Sequence, residues 1–280
     1  MKKLDIEITN KTKLIDIIRT KTNMSNKTIK QYFKYDKILY NGILEHNPNR
    51  LESTGIITIV YTKDDPKLDI IYEDEDLIAI NKPSGLLSIS NSREKENTAY
   101  HYVSNYIKAK NKHNKIYVLH RLDEDTSGVL LFAKNKQIQD KLKSNWNTYV
   151  QNREYYAILP TRTPQEGTIK SYLKMNHNQI VYSSKNNDGW LAITHYKLIK
   201  YHKPYSLLQV NIDTGKRNQI RVHMSENFSP IIGDFKYGSK LNPINRLGLH
   251  ASSISFIDPR TNELLTIQCE LPENMIDLFK

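Results

Sequence analysis

The stretch His120–Lys134, HRLDEDTSGVLLFAK, places a basic pair, three carboxylates, two hydroxyls and a glycine directly before a short apolar run. The run at 129–133 has the length and composition of a buried β-strand. The polar cluster before it then lies on a loop supported by a rigid strand, where reactive groups are commonly held. A charged turn whose Asp and Thr side chains bond nearby backbone is the simpler interpretation. This stretch alone leaves both interpretations open.

Strand-like segments surround this stretch on both sides, mostly at hairpin spacing. Helical patterns are few, and Thr98 and Asn135 are each placed to cap one. This pattern predicts an α+β fold built on a largely antiparallel mixed sheet with flanking helices. The predicted strands are 68–72, 77–81, 116–119, 154–159, 168–173, 180–183, 190–198, 207–212, 254–257 and 264–269.

The pattern of residues 1–62 predicts a small separate α/β unit. The segment 62–67 is polar and contains a proline, which predicts a linker. The second domain is then expected at 67–280. Asn41-Gly42 predicts a hairpin turn of type I′. Two short helices followed by a small hairpin resemble an S4-type RNA-binding module. The resemblance implies RNA contacts from one basic helix face; an accessory domain with a merely solvated face is the alternative. The lysines of that face are Lys27, Lys30 and Lys34.

The composition favours a polyanionic partner. The 280-residue chain has a net charge of +11 and a pI near 9.4, which favours nucleic acid, although a basic protein without such a partner fits too. The mean hydropathy of −0.62 and the lack of a long apolar run predict no membrane segment. A single cysteine and a start without a signal-peptide core lead us to expect a cytoplasmic protein.

Common catalytic and metal-binding motifs are absent from the sequence: it has no phosphate-binding glycine loop, no HExxH and no GxSxG. The acidic run Glu73–Asp76 allows a metal site, but adjacent acids in a hairpin turn usually face solvent in different directions. His120, His223 and His250 lack metal-ligand spacing, which favours structural roles. Carboxylates, arginines and tyrosines in a basic protein are left to carry any chemistry.

At this point His120–Lys134 resembles the signature of the RluA-type RNA pseudouridine synthases, in which His-Arg-Leu-Asp is followed two residues later by Thr-Ser-Gly. Further segments resemble the family's other motifs in order, and together they extend over most of residues 68–272. These segments are Tyr72–Gly85, Arg153–Ala157, Thr214–Met224 with Pro230–Asp234, and Arg246–Ala251.

The resemblance implies a cofactor-independent and metal-independent isomerisation of uridine in RNA. It assigns Asp123 as the nucleophile, Arg221 as the arginine paired with it, and Tyr155 as the residue that packs on the target base. A bidentate pair with Arg221 would fix the carboxylate and favour its ionised form. Arg121 matches the arginine that fills the space left by the flipped base. The implied further substrate-binding residues are His120, Thr126, Lys82, Arg153, Lys216 and Arg217.

Three positions depart from the family pattern. Arg153 stands where a lysine is usual, and Lys216 and Asn218 replace residues expected to help order the site. Arginine and lysine are not equivalent at bidentate contacts, so these changes predict altered RNA contacts.

Ribosomal RNA is the expected target, transfer RNA is the alternative, and the protein is expected to be a monomer. A non-catalytic RNA-binding or ribosome-assembly protein, and a metal-dependent phosphodiesterase using Glu73–Asp76, are the competing hypotheses.

Overall fold

A computed structural model describes residues 2–22, 24, 26–34, 37–61, 68–92 and 94–280. The chain divides into two compact units, Met1–Lys67 and Leu68–Lys280. The segment predicted as a linker, 62–67, lies outside the described residues. Among the helices of the described ranges, none is long and apolar enough to cross a membrane.

The first unit packs two helices on a small antiparallel sheet, in which the strand order is β1-β6-β3-β4. Apolar side chains from both layers, such as Leu14, Phe33 and Ile57, are buried together because the helices present their apolar faces to the sheet. Its elements are β1 (Lys2–Ile8), β2 (Thr12–Lys13), α1 (Leu14–Thr22), α2 (Asn26–Lys34), β3 (Ile38–Tyr40), β4 (Ile43–Leu44), β5 (Leu51–Glu52) and β6 (Gly55–Tyr61).

Two predictions for this unit can be compared with its structure. Asn41 and Gly42 both have positive φ, 49° and 80°, which confirms the type I′ turn between β3 and β4. The three lysines predicted to contact RNA all belong to α2, and Lys30 is exposed. The side chains of Lys27 and Lys34 lie outside the described residues, and the S4-like assignment stays a prediction.

The second unit is built on a mixed sheet of eleven strands within residues 68–92 and 94–280. Nine follow the order β13-β12-β14-β15-β11-β16-β10-β8-β7, while β17 pairs with β16 and β9 with β10. The strands are β7 (Ile70–Glu73), β8 (Leu77–Lys82), β9 (Tyr117–Val118), β10 (Ser127–Ala133), β11 (Val150–Leu159), β12 (Glu166–Met175), β13 (Val181–Ser183), β14 (Trp190–His202), β15 (Tyr205–Ile212), β16 (Leu249–Ile257) and β17 (Leu264–Gln268).

The helices of this unit follow the local signals of the sequence. Thr98 and Asn135 cap α3 and α4, and their side chains accept from the backbone N–H of His101 and Ile138. The helices are α3 (Ala99–Lys110), α4 (Lys136–Ser144), α5 (Trp146–Tyr149), α6 (Gln219–Asn227) and α7 (Glu273–Ile276). Because α6 begins at Gln219, Lys216 and Arg217 lie on the loop before it.

Strand β10 lies in the middle of the sheet and is buried along its whole length, as predicted. Val129 and Leu131 contribute to one apolar cluster, with Ile138 and Leu142 of α4. Leu130 and Phe132 point to the other face, where α3 packs. Successive strand side chains alternate between faces, so a wholly apolar strand can be covered on both. This fully enclosed strand anchors the loop that precedes it.

The sheet is predominantly antiparallel, as predicted, with one parallel ladder between β10 and β16. In that ladder Ser127 and Gly128 pair with His250 and Ala251. The two strands therefore begin side by side, and the loop before β10 lies beside the start of β16.

Candidate active site

A cavity of about 320 Å³ opens on the second unit, where the loop before β10, strand β11 and the start of α6 meet. The three residues predicted as catalytic, Asp123, Tyr155 and Arg221, all line it. They come from three elements that are far apart in the sequence. Its other polar or aromatic lining residues are His120, Arg121, Thr126, Trp146, Arg153, Lys216, Asn218 and Gln219.

The loop that carries Asp123 is held by the neighbouring segment 82–88. Ser88 Oγ donates to the carbonyl of Leu122 at 2.7 Å and accepts from the Leu122 N–H at 3.0 Å. Ser84 Oγ donates to the carbonyl of Asp125 at 2.6 Å. Bonds on both sides of Asp123 restrict its backbone, which is the preorganisation that a reactive carboxylate requires.

Lys82 belongs to this support and does not line the cavity, and its role in substrate binding stays a prediction. Its side chain is fully buried, and Nζ donates to the carbonyls of Pro83, Leu86 and Glu124 at 2.7–2.9 Å. Burial lowers the pKa of Lys82 to about 7, while Asp125 and Asp123 oppose that shift. Three accepting carbonyls match the three donors of an ammonium group. The Lys82 side chain therefore links the segment 83–86 to the loop that contains Glu124.

The Asp123 carboxylate is held through one of its two oxygens. Asn218 Nδ2 donates to Oδ2 at 2.6 Å, and Arg221 Nη1 lies 3.6 Å from the same oxygen. The other oxygen, Oδ1, accepts no hydrogen bond from any residue that the structure describes. The side chain is about one-quarter exposed, at 23%. One oxygen is thus fixed and the other is available to a bound nucleotide.

Arg221 makes its bidentate pair with Asp234, whereas its ion pair with Asp123 is a single longer contact through Nη1. Nε and Nη2 of Arg221 donate to the two carboxylate oxygens of Asp234 at 2.8 and 2.6 Å. Both side chains are buried, and the carboxylate of Asp234 raises the pKa of Arg221 further, against the effect of burial. Asp234 fixes the guanidinium plane, and the remaining nitrogen, Nη1, faces Asp123.

Asn218, one of the three departures from the family pattern, is itself fixed in orientation. Its Oδ1 accepts from Lys236 Nζ at 2.9 Å and from the Tyr237 hydroxyl at 3.3 Å. These two donors identify the oxygen end of the amide, so the nitrogen end must point to Asp123. Its backbone is left-handed, with φ 54°, a conformation that asparagine tolerates better than most residues.

Tyr155 lies on β11 with its ring at the cavity. Burial and the nearby Asp123 raise the pKa of its hydroxyl to about 12, and Arg153 opposes the shift. The hydroxyl is therefore protonated at neutral pH and is able to donate a hydrogen bond. An un-ionised ring also offers a flat surface on which a base can pack.

The remaining predicted substrate-binding residues fall into three groups. Arg121 and Lys216 are exposed at the cavity, and Thr126 is buried in its wall. Arg153 donates to the carbonyls of Ile212 and Asp213 at 3.2 and 2.7 Å, which ties β11 to the loop after β15. Arg217 is not part of this cavity and lines a neighbouring apolar slot.

The histidines have structural partners. His120 lines the cavity, but its Nε2 accepts from the Leu131 N–H at 3.1 Å. Buried His223 bonds Thr194 and Ser171 at 2.8 and 3.0 Å, and buried His250 bonds Ser127 at 2.7 Å. The preference for structural roles is thus confirmed for His223 and His250.

Three of the acidic side chains in the turn 73–76 form ion pairs with basic side chains. Glu73 accepts from Lys110 and Lys134, and Arg260 donates to both Asp74 and Asp76. These pairs join the turn to α3, to Lys134 directly after β10, and to the turn between β16 and β17. Within the described part of the chain no group of three or more His, Cys, Asp or Glu side chains is arranged to hold a metal ion.

Comparison with known proteins decides the family. The family model described as RNA pseudouridylate synthase matches residues 76–226. An RNA pseudouridine synthase of Bacillus subtilis (strain 168), YjbO, itself uncharacterized, is 31% identical over 214 residues, which cover 76% of each chain. The chain belongs to the RNA pseudouridylate synthase family. It is an enzyme of the RNA pseudouridine synthase class.

Two further relatives extend the match. Ribosomal large subunit pseudouridine synthase D of Salmonella typhimurium is 26% identical over 278 residues, covering 91% of this chain and 85% of that one. The solved structure of human RNA pseudouridylate synthase domain containing 4 aligns with a TM-score of 0.60 at 22% identity, covering 75% of this chain and 90% of that one. The human structure shows that the fold is shared.

Sequence reasoning missed two supports of this synthase site. Asp234 was included in a motif but given no role, and Lys236 was not considered. Asn218 and Lys236 are 18 positions apart, and the sequence between them contains no regular pattern that would pair them. The one usable signal was the position of Asp234 at the end of the segment Pro230–Asp234, which belongs to one of the family-like motifs.

Proposed function

We propose that this synthase converts uridine to pseudouridine with Asp123 as its nucleophile. The observation that supports the proposal is the asymmetric setting of the carboxylate. Oδ2 is occupied by Asn218 and Arg221, while Oδ1 remains open in a cavity that Tyr155 and Arg121 also line. A carboxylate serves as a nucleophile when its orientation is fixed and its charge is maintained by neighbouring donors.

The reaction is an isomerisation, so atoms balance without a co-reactant. Oδ1 of Asp123 donates an electron pair to C1′ of the ribose as the N1–C1′ bond breaks and its electrons leave with the uracil. The base rotates, C5 bonds C1′, and the carboxylate departs with its electron pair. C5 then loses its proton and N1 gains one. Nη1 of Arg221 and the Asn218 amide hold the carboxylate for both substitutions.

Tyr155 packs on the uracil in this scheme and donates a hydrogen bond to it. Because the pKa of Tyr155 is raised to about 12, its hydroxyl keeps its proton at neutral pH. It is therefore poorly suited to remove the C5 proton unaided. The rotating base needs a surface that confines it without bonding it rigidly, and an aromatic face provides this.

The target uridine must leave its stack to reach Asp123. Unstacking costs a few kcal/mol and less in a loop than in a helix. Arg121 is exposed beside Asp123 and is the residue we place in the space that the base vacates. The other exposed cation at the cavity, Lys216, contacts phosphate in this proposal.

We propose ribosomal RNA as the substrate and transfer RNA as the alternative. The Salmonella typhimurium relative, which is named as a pseudouridine synthase of the large ribosomal subunit, matches 91% of this chain. That share includes most of the first unit. Pseudouridine maps of total RNA with and without the gene distinguish the two. A missing site in ribosomal RNA supports the first target, and a missing site confined to transfer RNA replaces it with the second.

The role of Asp123 is tested with Asp123→Asn, which keeps the shape of the side chain and removes its charge. We expect the single-turnover rate on RNA from the gene-deleted strain to fall by roughly a thousandfold or more, since the nucleophile is lost. Asp125→Asn, which changes an exposed carboxylate two residues away, is the matched control. Wild-type turnover by the Asp123 variant would show that another group is the nucleophile.

A further inference from the structure

A small apolar slot of about 100 Å³ lies beside the catalytic cavity. Its lining consists of Leu173, Met175, Val181 and Trp190 together with Lys216 and Arg217. Lys216 also lines the catalytic cavity, so the two openings are neighbours on one surface. The proposed catalytic chemistry does not use the slot.

The strand register places the four apolar side chains on one face of the sheet. Leu173 of β12 is directly opposite Trp190 of β14, and Met175 is opposite Val181 of β13. Leu173 and Met175 are two residues apart on the same strand, so they also share a face. The slot is therefore built on three hydrogen-bonded strands and is formed before any ligand arrives.

Burial differs sharply within the slot. Leu173 and Val181 are buried, at 0% and 3% exposure, and belong to the apolar cluster beneath α6. Trp190 and Met175 are 57% and 43% exposed. A single exposed apolar residue is ordinary, but a tryptophan and a methionine side by side on a rigid floor leave a flat apolar surface uncovered.

The charges around this surface favour an anionic ligand. Arg217 is held against the slot, with Nη1 3.4 Å from Met175 Sδ and Nη2 3.1 Å from Gln179 Oε1. Neither Arg217 nor the exposed Lys216 forms a salt bridge with a carboxylate of the described residues. A flat apolar surface flanked by two unneutralised cations matches a nucleotide, which combines a planar base with a phosphate.

We propose that the slot binds an unpaired RNA base next to the target uridine, with Trp190 stacking on the base and Lys216 and Arg217 contacting the flanking phosphates. The proposal rests on the proposed function in one respect, the placement of the target uridine in the cavity that shares Lys216. Stacking tolerates any base because every base has a π-face. The slot therefore adds affinity and keeps the strand open beside the flipped nucleotide.

Tryptophan fluorescence tests the stack directly. The chain has two tryptophans, so Trp146→Phe leaves Trp190 as the sole reporter. The probe is single-stranded hexauridylate, compared with a base-free ribose–phosphate hexamer of equal charge. We expect hexauridylate to quench Trp190 and the base-free hexamer to leave it unchanged at concentrations where anisotropy shows both to be bound.

Binding by variants supplies the second measurement. We expect Trp190→Ala to weaken hexauridylate binding by roughly 5- to 100-fold, the loss of about one base–aromatic stack, and Trp190→Phe to restore most of it. Leu264→Ala, which removes another exposed apolar side chain on β17, is the control and should bind as the wild type does. Urea unfolding of each variant establishes that it is folded.

Two results would overturn the proposal: an unquenched Trp190 with hexauridylate bound, or wild-type affinity in Trp190→Ala. An unquenched Trp190 would mean that the apolar surface of the slot binds a ligand other than RNA. Asp123→Asn separates this proposal from the catalytic one, because that variant should lose turnover and still show the quenching. Quenching together with wild-type turnover in Asp123→Asn would refute the nucleophile and leave the slot intact.

Discussion

At the scale of single residues, the orientation of one amide determines which oxygen of Asp123, the proposed nucleophile, is free. Lys236 and Tyr237 donate hydrogen bonds to the Asn218 side-chain oxygen and so fix the orientation of its amide. The amide nitrogen then donates to Asp123 at 2.6 Å. We therefore expect the asparagine that departs from the family pattern to act as a positioning residue for Asp123.

Removing that bond should slow the reaction more than it weakens binding. We expect Asn218→Ala to lower kcat by about 10- to 100-fold with little change in KM, since a hydrogen bond to a charged group is lost. Asn218→His keeps a donor and should recover part of the rate. Steady-state kinetics on deletion-strain RNA measures both, and a raised KM with unchanged kcat would place Asn218 in substrate binding instead.

Predictability at this scale was uneven. The resemblance to the family's motifs pointed to Asp123, Tyr155 and Arg221, and the structure brings all three to one cavity, while their roles stay proposals. It could not show that Arg221 forms its bidentate pair with Asp234, or that Lys82 is buried. Both facts depend on which carboxylate and which carbonyls the fold brings within 3 Å.

At the scale of elements, the parallel ladder of β10 and β16 fixes the strand that supports the loop carrying Asp123. Gly128 stands in this ladder with φ +114°, and a Cβ there would lie 2.0 Å from the carbonyl oxygen of Ala251. Two strands approach closely at this point because one residue has no side chain.

Gly128→Ala should therefore be severely destabilising. We expect a loss of roughly 3 kcal/mol or more in the free energy of unfolding, from backbone strain and a clash that cannot relax. Gly238→Ala is the control, because its φ is also positive, +93°, but no atom lies within 4 Å of the added Cβ. Urea unfolding compares them, and equal losses would mean that the clash is relieved elsewhere.

Secondary structure was predictable where its signals are local. The caps at Thr98 and Asn135, the turn at Asn41-Gly42 and the buried β10 all depend on residues within a few positions of each other. Trp146 lies just beyond the helix that Asn135 caps, since α4 ends at Ser144 and Trp146 starts α5. Trp146 packs on His120 instead, with ring centroids 5.8 Å apart. That contact is tertiary.

At the scale of the whole molecule, we expect the buried His223 and His250 and the partly buried His120 to make stability depend on pH. Burial lowers the pKa of His120, His223 and His250 to about 4, against about 6.5 in an unfolded chain. Between these values the unfolded state binds more protons than the folded state, so stability is fully present above pH 6.5 and is lost as the pH falls towards 4.

We expect the free energy of unfolding to decrease from pH 7 to pH 4.5, with each histidine contributing at most about 1.4 kcal/mol per pH unit. Urea unfolding at several pH values measures the slope. His223→Gln removes one titrating group and should flatten it. Equal slopes in the variant and the wild type would show that His223 titrates normally in the folded state.

The two compact units allow a division of labour between affinity and chemistry. We expect a 68–280 fragment to keep kcat at saturating RNA and to show a raised KM, because the cavity belongs wholly to that unit. Lys30→Glu in the full chain is the companion variant and should raise KM in the same direction. A folded fragment without turnover at saturation would contradict this division.

The sequence by itself determined the strand-rich architecture and the local caps and turns, because each depends on the order of neighbouring residues; the choice of Asp123 as the central group came from the family resemblance and stays a proposal. Tertiary structure alone decided which oxygen of Asp123 is free, which carboxylate orients Arg221, and where Lys82 and Trp190 lie. The bond from Asn218 to Asp123 spans 95 residues. Burial and hydrogen bonding at such separations arise only when the sheet brings the ends of distant strands together.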